Sequence, residues 1–303
     1  MAVLLRPLRY PPPSFWRLLQ SRNHSPRGRR PPESCVTALN GFQDAALYER
    51  TRPSYPKEAV EKVHELAAIT AGDDSPPTIV ELGAGTGIFT RLAASSLPPS
   101  ATYYANELND AMKRKLSSST EDIDQVVVVG GSASAVGGVD APDGEADVVV
   151  AAQSFHWFRP YPAAYMEARR LLKPGGHLVM IWNERDLSVP WVAALEEEVI
   201  NPLYPPGSAR QQSGEWLDTF EHFLGSYYGN LHHVTVERGA VQRGSHDVVV
   251  GRVMSLSAVS AVKEEERRGV ELRVREWLQE REEVGDVVEL PYRTEIYHTQ
   301  VIA

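Results

Sequence analysis

The sequence predicts an α/β fold: a doubly wound, mostly parallel sheet of seven strands, with a helical cover inserted after the fifth. Two observations carry this. Between Thr78 and Trp182, short apolar runs alternate with helical patterns through brief connections, the arrangement that lays parallel strands between two layers of helix. Two of those runs, Val126–Val129 and Val148–Ala152, are strand-sized and carry valine in series, as strands buried on both faces do.

The elements follow in order. Lys57–Ile69 places Val60, Val63, Leu66 and Ala67 on one helical face, with Pro56 at its start and Gly72 after its end. Asp73–Pro77 reads as a turn and Thr78–Leu82 as the first strand. Gly87–Leu97 is helical, stopped by Pro98–Ser100; Ala101–Glu107 is the second strand and Asn109–Leu116 the next helix. Gln125–Val129 is the third strand, Asp140–Glu145 a turn, and Ala146–Ala152 the fourth strand. Pro160–Leu172 is a helix that Lys173-Pro174-Gly175-Gly176 ends, and His177–Trp182 is the fifth strand. Beyond Asn183 the pattern changes. Trp191–Asn201 and Gly214–Tyr228 read as helices around the loop Pro202–Gln212, and His232–Arg243 alternates as a strand. Lys263–Glu283 is a long charged helix buried along Val270, Val274, Trp277 and Leu278, and Val287–Val301 is extended. Its acidic runs Glu264–Glu266 and Glu280–Glu283 are solvated faces.

Composition excludes several classes. With 42% hydrophobic and 23% charged residues, the 303-residue chain has an ordinary globular balance. No apolar run approaches the roughly 18 residues of a membrane-spanning helix. Cys35 is the only cysteine, so no intrachain disulfide, thiolate zinc site or CxxC pair is available, and no metal is expected. A net charge of −9 counts against nucleic acid as a partner. The charge is uneven: residues 1–33 hold seven arginines and one acid, Glu33. With Phe15, Trp16, Leu18 and Leu19 interspersed, this stretch resembles an organellar transit peptide, which implies a mitochondrial or other organellar address; a disordered extension of a cytoplasmic protein is the other reading. The expected division is an extension at 1–35, a helical flap at 36–77, a cofactor-binding core at 78–183, and a substrate cover with C-terminal strands at 184–303.

The chemistry concentrates in Val80-Glu81-Leu82-Gly83-Ala84-Gly85-Thr86-Gly87, where a strand ends in an acid and three glycines before a helix. Such glycines let the backbone turn sharply and approach a ligand without a Cβ in the way. A dinucleotide loop is spaced G-x-G-x-x-G; here the spacing is G-x-G-x-G with Ile88 in the third glycine's place, which points away from a nicotinamide cofactor. Glu107 closes the second strand, where a carboxylate can accept from both hydroxyls of a ribose; a surface acid at a strand end is the bland alternative. Gly130-Gly131-Ser132-Ala133 follows the third strand and offers backbone groups to an adenine edge.

In order and spacing, Val80–Gly87, Glu107, Ser132–Ala133 and the Leu171–Gly176 turn resemble the motif series of class I S-adenosylmethionine-dependent methyltransferases, in particular the methyltransferase type 11 domain. Tyr48–Pro56 is similar to the Y-x-x-x-R-P-x-Y-P segment of one branch, Gln153-Ser154-Phe155-His156-Trp157-Phe158 to its segment after the fourth strand, and Leu290-Pro291-Tyr292-Arg293-Thr294 to its last strand. That branch includes the yeast trans-aconitate and cantharidin methyltransferases, and the resemblance covers residues 42–300. It implies a Rossmann-like methyltransferase fold, S-adenosylmethionine as cofactor, and a small-molecule acceptor. The cofactor residues it implies are Tyr48, Arg52, Glu81, Gly83, Ala84 and Gly85, then Gly87, Glu107, Leu108, Ser132, Ala133 and Gln153.

For catalysis, His156, Trp157 and Arg52 are the candidates. Methyl transfer needs a base only where the nucleophile starts out protonated. His156 as base implies a phenol or alcohol acceptor; as donor it suits a carboxylate; as a packed ring it only shapes the loop. Trp157 and Phe158 floor the pocket, lie near the sulfonium, where aromatic faces attract cations, or belong to the core. The resemblance implies that Tyr48, Arg52 and Tyr55 form a flap over the cofactor, with Arg52 reaching the cofactor's carboxylate or a substrate acid, or else fixing the turn at Pro53 and Pro56. Trp182, Asn183 and Arg185 face the same sheet edge, and Arg52, Arg159 and Arg185 are candidate carboxylate ligands. The expected reaction is O-methylation of a carboxylate. The alternatives are O- or C-methylation of a quinone or phenol, a non-catalytic cofactor-binding assembly subunit, and a nicotinamide oxidoreductase.

Overall fold

The chain's computed structural model describes residue 42 and residues 44–72, 75–137 and 143–302, apart from the Arg238 side chain. The expected N-terminal extension and transit peptide lie outside the described residues, as does half of the expected turn at Asp140–Glu145. Eight strands form one sheet in the order β4-β3-β2-β1-β5-β6-β8-β7. β1 (Thr78–Leu82), β2 (Thr102–Asn106), β3 (Val126–Ser132), β5 (Ala146–Ala152) and β6 (Leu172–Arg185) run parallel. β8 (Val288–Gln300) lies antiparallel between β6 and β7 (His232–Gly244). Seven of these strands are the expected ones. The eighth, β4 (Ala135–Gly137), is a three-residue hairpin strand on the end of β3.

Every residue of β5 is buried, and the two-residue period of a strand sorts its side chains between two cores. Val149 and Ala151 join Val80, Leu82, Leu178 and Met180 on one face, covered by α5 (Tyr161–Leu171) through Ala164, Tyr165 and Ala168. Val148 and Val150 join Ile79, Val179 and Ile181 on the other, covered by α2 (Lys57–Ala71) and α3 (Ile88–Ala94). β3 departs from expectation: of its four valines only Val129 is buried, and Val127 is 38% exposed. The reason is position. β4 pairs only with Gly130–Ser132, so Val126–Val129 form a sheet edge.

Two further boundaries differ. α5 ends at Leu171, as the Lys173–Gly176 turn predicts, but β6 already begins at Leu172, shifts its register with β5 across Lys173–Gly176 and runs on to Arg185, so that Asn183 pairs with Thr294 of β8. After α6 (Pro190–Ala194), the helix expected over Gly214–Tyr228 is only α7 (Glu215–Glu221), after which the chain turns at Gly225, whose φ of 75° is left-handed. The cover has its own apolar core, in which α8 (Asp247–Met254) packs against α10 (Glu264–Gln279) through Val249, Val253, Val270 and Val274. α8 and the short α9 (Ser257–Ser260) carry no sequence expectation. Among the described residues, no helix is long and apolar enough to cross a membrane.

Candidate active site

A cavity of about 1210 Å³ opens at the C-terminal ends of β1, β2, β3 and β5, the edge where open α/β sheets bind ligands. The turn after β1 builds its floor. Gly83, Gly85 and Gly87 all have positive φ, but they do different work. A Cβ on Gly83 would stand 2.8 Å from Ser154 Cβ, so this glycine lets the loop after β5 close in; Ser154 Oγ then donates to Leu82 O at 2.7 Å. A Cβ on Gly85 meets nothing within 4 Å, so its side lies open to the cavity. Gly87 does not line the cavity, contrary to expectation. Its Cβ position falls 2.8 Å from Leu116, in the contact between α3 and α4 (Asp110–Ser119), and Gly87 is a packing glycine.

The expected residues Tyr48, Arg52, Glu81, Gly83, Ala84 and Gly85 line this cavity, as do Glu107, Leu108, Ser132, Ala133, Gln153 and Trp157. Glu107 accepts from Gly85 N at 2.8 Å on one oxygen and from Asn109 N at 2.7 Å on the other. Burial raises its pKa while those backbone N–H groups lower it. Each oxygen retains lone pairs for a ligand hydroxyl. Glu81 accepts from Thr90 Oγ1 at 2.6 Å and Tyr103 OH at 2.9 Å, and burial pushes its carboxyl up to about 7. Gln153 holds a φ of 57°, a costly conformation for a non-glycine, kept in place by Gln153 N to Ile181 O at 2.7 Å and by Nε2 to Asn183 O at 2.8 Å.

α1 (Ala45–Thr51), capped by Asp44 on Leu47 N, closes the cavity from above. Its Glu49 pairs with Arg91 and accepts from Thr86, tying α1 to the glycine turn. Phe42 stacks edge-on against both Tyr48 and Trp157 at 5.6 Å, a cover residue that no motif had marked. The Arg52 guanidinium lies 4.4 Å over the Tyr48 ring and donates to Ser255 O at 2.8 Å.

Of the three roles open to His156, its surroundings favour the hydrogen-bond donor over the base. His156 lines not the larger cavity but a smaller one beside it, of about 580 Å³. Phe155, fully buried among Phe158 and Tyr165, anchors the short turn that carries it. Trp182 Nε1 donates to His156 Nδ1 at 3.1 Å, so the ring is neutral with its proton on Nε2. Burial, and then Arg52, Arg210 and Arg159, push its pKa down to about 3. Such a ring donates a hydrogen bond and does not take a proton near neutral pH. Trp182 is fully buried and acts only through this bond.

The arginines also redistribute. Arg185 is not a ligand candidate, because it is buried and its Nε bonds Glu196 at 2.7 Å. Arg159 pairs with Glu215 at 2.6 Å, and Arg210 pairs with Glu196 at 2.7 Å. Sequence reasoning passed over Arg252, which is 6% exposed and lines both cavities with Arg52, Gln153 and Asn183. A lone arginine inside the apolar run Val248-Val249-Val250-Gly251-Arg252-Val253 was the available signal. Glu184, also in the smaller cavity, accepts from Gln212 at 2.5 Å, and burial pushes it up to about 7.

A family model described as a methyltransferase domain matches residues 80–180. An uncharacterized methyltransferase of Schizosaccharomyces pombe is 38% identical over 153 residues, covering 49% of this chain and 54% of the relative. A malonyl-[acyl-carrier protein] O-methyltransferase of Methylococcus capsulatus is 32% identical over 37% of this chain and 40% of that protein. The chain thus spans about half the length of the curated relatives it matches. Among solved structures, a putative type II methyltransferase from Anaeromyxobacter dehalogenans shares the fold, with a TM-score of 0.56 at 18% identity over 83% of this chain and 97% of that one.

Proposed function

We propose that the chain, which a methyltransferase-domain model matches over residues 80–180, is a class I S-adenosylmethionine-dependent methyltransferase acting on a carboxylate oxygen of a small molecule. S-adenosylmethionine supplies an electrophilic methyl on a sulfonium. The open side of Gly85 leaves room for it, and Glu107 has the lone pairs for its two ribose hydroxyls. Trp157, on the wall common to both cavities, excludes water and offers a ring face to the cation.

The neutral, donating His156 carries the choice of acceptor. A carboxylate is already ionised and needs no base, whereas a phenol needs one that this ring does not supply. The Methylococcus relative's name, an O-methyltransferase, agrees with transfer to oxygen. One observation favours a second reading: Glu184, poised near 7 in the smaller cavity, is placed to deprotonate a phenol or hydroquinone.

Incubation with methyl-labelled cofactor and fractionated small metabolites tests both. An ester releases labelled methanol in alkali and forms at a rate nearly flat from pH 6 to 8. An alkali-stable product whose formation rises through about pH 7 replaces the ester reading with the Glu184 one. The organellar address remains a proposal on the N-terminal arginines alone; a reporter fused to residues 1–34 that stays diffuse removes it.

A further inference from the structure

Buried charge without a partner is costly, and proteins ordinarily remove the cost by pairing. Around the two cavities, three arginines follow that rule: Arg159, Arg185 and Arg210 each meet a glutamate. Arg252 does not. Its Nε and Nη1 are buried and make no hydrogen bond, and among the described residues no carboxylate lies within ion-pair distance of it. Burial, and then the like charges of Arg52 and Arg185, lower its pKa to about 10; Glu184, in the same smaller cavity, is near enough to feel its charge but does not pair with it. Arg52 keeps a buried Nε without a partner as well.

The surroundings hold this arrangement in place. Gly251 lets Thr51 of α1 approach α8, since a Cβ there would stand 2.9 Å from Thr51 Cγ2. Arg52 then bonds the end of α8 at Ser255 O. Asn183, beside both arginines, is fixed by Ser54 O at 3.1 Å and Thr294 Oγ1 at 2.6 Å.

We propose that Arg252, flanked by Arg52, is the acceptor anchor: its guanidinium, with Nε and Nη1 unpartnered inside the protein, takes a carboxylate of the acceptor that is not the one methylated. This rests on the methyl-transfer reading. A guanidinium fork engages both oxygens of a carboxylate at once. Lone pairs held that way are poor nucleophiles, so the anchored group orients the molecule while a second oxygen meets the methyl. The acceptor is therefore an organic acid with an anionic group remote from its reacting oxygen.

Thermal melting of the full chain tests the anchor, with succinate, its diamide, inorganic phosphate and sodium chloride of matched ionic strength as probes. Succinate is expected to raise the wild-type Tm by several degrees and the diamide not at all. Arg252→Met is expected to melt about 2 °C or more above the wild type without probe, because it removes an uncompensated charge, and to lose the succinate shift. Arg252→Lys should keep part of that shift. Loss of stabilisation by S-adenosylhomocysteine in Arg252→Met would assign this arginine to the cofactor's own carboxylate and overturn the anchor, and its absence from the wild type would break the methyltransferase reading instead. The anchor is overturned if Arg252→Met melts below the wild type or fails to fold, which is how a structural arginine behaves. It is also overturned if that variant responds to succinate as the wild type does, or if wild-type stability answers phosphate alone or no probe.

Discussion

The two adjoining cavities are walled by different kinds of structure. The larger is made of strand ends and their turns, and its acids are satisfied within the protein: Glu81 by Thr90 and Tyr103, Glu107 by the backbone of Gly85 and Asn109. The smaller is made of side chains reaching in from α1, the loop after β5, the end of β6 and α8, and it leaves Arg252 uncompensated. A ligand met by backbone needs room, so glycine matters there. A ligand met by charge needs a counter-ion left out of the protein, and the empty protein carries the cost.

The sharpest way to break this contrast is at the glycines. Gly85→Leu should abolish binding of S-adenosylhomocysteine by calorimetry while the chain still folds, since its side chain enters open cavity. Gly83→Leu should instead prevent folding, because that Cβ meets Ser154. If both variants fold and bind, the division between a ligand-facing and a packing glycine is wrong. Next in size, Glu107→Ala should weaken the same binding by about 1–3 kcal/mol, the usual loss of hydrogen bonds to a charged group. Wild-type affinity in that variant would remove Glu107 from the ribose.

On the other side of the wall, His156→Gln should keep the rate within about tenfold, where loss of a general base costs about 10²–10⁴-fold. Single-turnover rates decide it. The smallest effect is on stability. Glu81 and Glu184 are raised from an ordinary 4.5 to about 7, so between those values the folded chain holds protons that the unfolded chain releases. Their contribution therefore falls as pH rises through that window. His156, lowered from 6.5 to about 3, acts in the opposite sense: the unfolded chain holds the proton, and stability rises with pH. Urea midpoints at pH 5 and 7 should then decline less in Glu81→Gln than in the wild type, and more in His156→Gln. Equal declines in all three would show that these groups titrate normally.

What was legible follows the same divide. The glycine turn, the acid closing β2 and the valine run of β5 are each chemistry written in contiguous residues, and the cavity lies where they point. The buried stripe of α10 was legible from its helical period. What escaped depends on partners distant in the chain. His156 was ambiguous because its proton is placed by Trp182, and Arg185 looked available because Glu196 lies beyond the strand. Four valines in a row read the same at a sheet edge as at its centre, and β4 is too short to cover those of β3. Arg252 carries no motif; only its isolation in an apolar helix marks it.

The place of β8 bears on how the chain assembles as it is made. It is the last of the eight strands to leave the ribosome, yet it lies inside the sheet, joining His177–Arg185 of β6 on one side to β7 on the other. Until residues 288–300 emerge, β6 presents an open edge and β7 has no neighbour to pair with. The five parallel strands can condense earlier, because their contacts close over shorter stretches of chain. A nascent chain halted before β8 therefore loses two strands at once, and it exposes the apolar β6 edge that chaperones and aggregation both recognise.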